Sequence, residues 1–99
     1  MRTTLWYAGL VYGEILWTEE SEAHTARHEV TPREIEDAIY TCPRWVDDGR
    51  DGTKLVFAVT SAGRHLFVVV TQAADGRDFI VTAREMTNSE KRTFREKGR

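Results

Sequence analysis

The 99 residues carry 16 Asp and Glu against 14 Lys and Arg, a formal net charge of -2, with 40% hydrophobic and 30% charged side chains. This length supports one domain with a single modest core, and the composition excludes collagen-like, disordered and uniformly basic classes. No apolar run approaches the roughly 20 residues of a membrane span, so a cytoplasmic location is the default, and a lone Cys42 rules out an internal disulfide or CxxC metal site.

Charge is unevenly placed. Residues 14 to 37 hold eight acids and two bases, residues 38 to 83 five of each, and residues 84 to 99 three acids and six bases. A cationic C-terminal element therefore opposes an acidic N-terminal region. Ahead of both, residues 1 to 13 include the apolar, aromatic stretch Leu5–Tyr12, too short and bulky for a signal peptide. An added edge strand, a partner-binding arm and a lead-in all remain open for it.

Ile15-Leu16-Trp17 reads as a short strand, and Thr18 caps a helix running to Arg27 or His28, with Glu19 and Glu20 at the positive end of its dipole. Thr31-Pro32-Arg33-Glu34 is a capping box with proline at the first helical position. It starts a second helix whose stripe is Ile35, Ala38, Ile39 and Cys42, ended by Pro43. Arg44-Trp45-Val46 is a weak strand, Asp48–Gly52 a turn and Lys54–Thr60 a strand.

Ser61-Ala62-Gly63-Arg64 then turns the chain into the strand Leu66–Thr71. This run lacks polar alternation, as a central strand does, and an Asp75-Gly76 turn joins it to Phe79–Thr87. Period-2 alternation there puts Phe79, Val81 and Ala83 on one face and Ile80, Thr82 and Arg84 on the other. Thr87-Asn88-Ser89-Glu90 is a further capping box, opening a final helix through about Lys97. The expected fold is one α+β domain over residues 1 to 99, an antiparallel sheet of three or four strands. Two N-terminal helices and one C-terminal helix cover one face and leave the other wet.

Several segments together carry a family likeness: Trp17-Thr18-Glu19-Glu20, Arg27–Ile35, Ser61–Leu66 and above all Ile80–Arg92. Over about residues 14 to 97 the chain resembles the BrnT family, small ribonuclease toxins of bacterial type II toxin–antitoxin modules with a RelE-like fold. It departs where Glu29 replaces the glycine of a His-Gly-Val motif, at Val59 on the middle strand, and where Phe94 replaces a frequent tyrosine. The resemblance implies a metal-independent endoribonuclease acting on mRNA, free or on the ribosome, with no cofactor. It also implies a cognate antitoxin, a small DNA-binding protein such as a ribbon-helix-helix protein, and no membrane partner.

Such chemistry needs a proton carrier and cations for the phosphate charge of the transition state. His28 and Arg84 match family positions as general acid or base and as phosphate clamp. Arg50, Arg64, Lys91 and Arg92 are substrate-binding candidates. Arg50 and Arg64 occupy turns at opposite ends of one strand, so one strand cannot bring both to one phosphate. Each candidate has a structural counterpart: a helix-ending histidine, a salt-bridged Arg84, solvated turn arginines, an ion-paired final helix. Two other functions stay open. One is a non-catalytic interaction protein keeping the fold; the other is a metal-dependent nuclease using Glu20, His24 and His28, which lacks an HExxH pattern.

Overall fold

A computed structural model describes residues 15–40 and 44–97. The readings made for residues 1 to 13, for Cys42 and for Pro43 lie outside them. In order come β1 (Ile15–Leu16), α1 (Glu19–Ala26), α2 (Pro32–Tyr40), β2 (Arg44–Asp48), β3 (Lys54–Val59), β4 (His65–Gln72), β5 (Asp78–Glu85) and α3 (Asn88–Lys97).

The α+β class holds, but the sheet differs from the expected one. It has five strands in the order β1-β5-β4-β3-β2, and it is mixed. Strands β2 to β5 form the antiparallel meander, whereas β1 runs parallel to β5, with Ile15 opposite Asp78 and Leu16 opposite Phe79. The chain leaves one sheet edge at β1, crosses through α1 and α2, and joins the far edge as β2.

All three helices start where side chains satisfy the first free N–H groups. In α1 the Ser21 N–H donates to Thr18 Oγ1 (3.1 Å) and the Thr18 N–H to Ser21 Oγ (3.0 Å). Thr31 and Glu34 do the same for α2 at 3.0 and 3.1 Å, and Thr87 and Glu90 for α3 at 2.9 and 3.1 Å. The stop of α1 is a Schellman turn: the Val30 N–H donates to the Thr25 carbonyl (3.2 Å) and the Glu29 N–H to that of Ala26 (2.9 Å). Glu29 therefore adopts φ 59°, a conformation that glycine would adopt without strain.

The main core lies between the α1–α2 layer and one sheet face. Ile35, Ala38 and Ile39 of α2, all fully buried, meet Val56, Ala58, Leu66, Val68, Val70, Ile80 and Ala83. Burying each isoleucine contributes about 1.5–3 kcal/mol. Helix α1 has no apolar stripe to offer and buries Ser21 and Thr25 instead; their hydroxyls donate to the Thr18 and Glu22 carbonyls at 3.0 and 3.1 Å. These small, internally bonded side chains let a polar helix lie against β5.

The final helix does not join that layer. Phe94 of α3 packs with Trp45 and Met86 against Phe57, Val59 and Phe67 on the opposite sheet face, so the helices cover both faces. The alternation expected along β5 also fails. Val69 faces Thr82 but Val70 faces Ile80, so Val81 is an extra residue, a β-bulge. Ile80 and Ala83 consequently share the core face, and Thr82 and Arg84 face the α3 side. The bulge turns the Val81 carbonyl toward α1, where the Nδ1–H of His24 donates to it at 3.2 Å.

Candidate functional site

One row of cross-strand neighbours organises the α3 face. Trp45, Phe57, Phe67 and Arg84 stand opposite one another on β2, β3, β4 and β5. Alternation keeps all four on the same side of the pleat. Trp45 and Phe57 stack with centroids 4.9 Å apart, Phe57 and Phe67 lie 5.1 Å apart, and the Arg84 guanidinium carbon sits 4.5 Å from the Phe67 centroid. At the other end the Lys97 ammonium lies 5.5 Å from the Trp45 ring. Aromatic faces carry negative quadrupole charge, so a cation at each end suits the stack.

Arg84 is also held in the plane of its guanidinium. Its Nη1 donates to Glu90 Oε1 (2.8 Å) and to the Glu85 carbonyl (3.1 Å), and its Nη2 donates to Glu90 Oε2 (2.9 Å). The pair holds the Glu90 carboxyl below its usual range, chiefly through the hydrogen bond from Arg84, and raises the guanidinium further in turn. A guanidinium has five N–H donors, and these contacts use three. The Nε–H and one Nη2–H have no acceptor among the described residues, and about a third of the side chain is exposed.

The remaining predicted residues do not gather around Arg84. His28 is exposed and sits in the turn joining α1 to α2, on the other side of the sheet. The expected convergence of His28 and Arg84 is therefore not formed, because the bulge and the placement of α3 put Arg84 opposite the helical layer. Arg64 is a structural tie: its Nη1 donates to the Glu29 carbonyl (2.9 Å) and the Glu34 carboxylate (3.0 Å), and its Nε lies 3.9 Å from Glu85. Glu34 is held below the usual carboxylate range, first by the Thr31 backbone N–H and then by Arg64. Arg50 is exposed in a short 3-10 turn, Arg50–Gly52, at the far end of β3. Lys91 and Arg92 lie on α3, half-buried and exposed respectively, on the same side of the molecule as Arg84.

His65 was not singled out by the sequence, yet it lies on the Arg84 face, with its ring edge-on to Phe94 at 5.8 Å and 90°. Counting two residues back from Phe67 along β4 would have found it, once Phe67 was known to face Arg84. The alternative metal site is not assembled: among the described residues no group of three His, Cys, Asp or Glu is placed to hold an ion. An open groove of about 410 Å³ lined by Glu22, Ala26, Glu29, Val30, Thr31 and Pro32 lies on the α1–α2 layer. Its two carboxylates disfavour phosphate. No helix among the described residues is long and apolar enough to cross a membrane. No protein-family model, curated protein or solved structure matches the chain.

Proposed function

We propose that this chain is an endoribonuclease toxin of a type II toxin–antitoxin module, cleaving mRNA by metal-independent acid–base chemistry on the α3 face of its sheet. The observation that carries the reading is the held Arg84, stacked on Phe67 and oriented by Glu90, with two N–H donors left without an acceptor among the described residues. Such an edge suits two phosphate oxygens, and a cation already fixed in place reorganises little as charge builds in the transition state. Lys91 and Arg92 lie on the adjoining helix, where neighbouring phosphates would pass. The resemblance over residues 14 to 97 favours the same class. It also names the regulator: a cognate antitoxin, a small DNA-binding protein of the ribbon-helix-helix kind, which would cover this surface. The mRNA is bound alone or on the ribosome.

A non-catalytic interaction protein is the second reading, favoured by Glu90 occupying one edge of Arg84 and by the internal tie of Arg64. Incubating the purified chain with RNA in EDTA separates the two. The expected outcome is cleavage leaving 2′,3′-cyclic phosphate ends, slowed roughly 100- to 1,000-fold by Arg84→Ala. Intact RNA, together with harmless expression of the wild-type chain in cells, would move the assignment to the binding reading.

A further inference from the structure

We infer that His65 is the catalytic proton carrier of the α3 face, working beside Arg84. The inference rests on the ribonuclease reading above and supplies the group which that reading lacks once His28 is placed on the other side of the sheet.

Three histidines are present, and the fold sorts them. His24 is turned to the α1 side, its Nδ1–H engaged by the Val81 carbonyl. His28 lies in the α1–α2 turn. His65 begins β4 on the face that carries Phe67, and Arg84 stands directly opposite Phe67 on β5. One diagonal step of an antiparallel ladder therefore separates His65 from Arg84, about 7–8 Å. That is the spacing of their backbone positions, and two side chains so placed on one sheet face can both reach a single phosphodiester group above it.

The imidazole is also presented for use. Its backbone is fixed: the Met86 N–H donates to the His65 carbonyl (3.0 Å), and in the preceding turn the Thr60 and Arg64 main chains are joined at 2.9 Å. The edge-on Phe94 ring limits rotation of the side chain, which is only half-buried. Neither ring nitrogen has a hydrogen-bond partner among the described residues, so the ring is neither a capping group nor part of an ion pair there. Within hydrogen-bond reach of a ribose, neutral imidazole takes the proton of the 2′-hydroxyl. The 2′-oxygen then bonds to phosphorus as the bond from phosphorus to the 5′-oxygen breaks, while Arg84 faces the charged phosphate oxygens. The departing 5′-oxygen takes a proton from water, and the imidazolium returns its own proton to the hydroxide so formed.

The test is RNA cleavage in EDTA as a function of pH for the wild-type chain and for His65→Ala, His65→Gln and His28→Ala. Loss of kcat by about 100- to 10,000-fold in both His65 variants is expected, with KM little changed. The rise in rate with pH that a general base confers should vanish from their residual activity. His28→Ala should keep the wild-type profile, and added imidazole should restore part of the His65→Ala rate. Binding of a 2′-O-methyl oligonucleotide should be unchanged in His65→Gln, which distinguishes lost chemistry from lost folding. Wild-type rate and pH profile in His65→Gln, with wild-type chain that does cleave RNA, would overturn the role of His65 and leave the ribonuclease reading standing. Wild-type chain that leaves RNA intact would bring down both.

Discussion

Glu29 and Asp78 each hold a conformation or a charge state that their side chains disfavour. Glu29 sits at φ 59° to close the turn after α1, and a left-handed residue with a Cβ costs about 1–2 kcal/mol, partly offset in glycine by greater unfolded-state entropy. Glu29→Gly should therefore stabilise the fold by about 0.5–1 kcal/mol in urea unfolding, with the Arg64 contact to the residue 29 carbonyl retained. Asp78 is 5% exposed, and its Oδ2 is buried without a partner among the described residues, so burial pushes its carboxyl up to about 6. The folded chain thus holds this proton more tightly than the unfolded chain, whose carboxyl titrates near about 3.9. The resulting stability is fully present below that value and is lost as pH rises through about 6. Asp78→Asn should raise stability by about 1–3 kcal/mol at pH 7.5 and by almost nothing at pH 4, read from urea midpoints at the two pH values.

At the scale of elements, the capping boxes were the most legible part of the chain. Thr31 with Glu34 and Thr87 with Glu90 read directly as helix starts, because the chemistry is local and needs only residues three apart. Removing the Thr87 hydroxyl by Thr87→Ala should cost about 1 kcal/mol, seen as a lower thermal midpoint. The Glu90 carboxylate should keep both the residue 87 N–H and Arg84, because only the bond from the Glu90 N–H to the Thr87 hydroxyl is lost. The strands β3, β4 and β5 were legible for a similar reason, and Gly76, at φ 92°, closes their second hairpin where the Asp-Gly pair predicted a turn. What stayed hidden depends on distant partners. The strand at Ile15-Leu16 was legible but its parallel pairing with β5 was not, Phe94 is the sole large apolar side chain of α3 and cannot show which sheet face it meets, and nothing in Ile80-Val81-Thr82 announces an extra residue. His28 and Arg84 were separated by the last two of these, and His65 was overlooked for want of the register.

Across the whole molecule the two sheet faces are unequally filled. The α1–α2 side carries a contiguous core of fully buried aliphatics, whereas α3 is anchored through Phe94, its cap and the cations at the ends of the aromatic row. The amides of α3 should therefore exchange with solvent through openings of lower free energy than those of β4, as hydrogen-exchange mass spectrometry would show. Equal protection of the two would mean that the row holds α3 as firmly as the main core holds the sheet. Beneath this asymmetry lies the additional peptide unit at Val81. A chain lacking Val81 would keep Val69 opposite Thr82 and Val70 opposite Ile80 as a regular ladder, so Arg84 would stay on the α3 face, and what would be lost is the carbonyl to which the His24 Nδ1–H donates. The additional unit thus fastens α1 to its edge of the sheet, while the charge carried by the α3 face is set by the paired residues on either side of it.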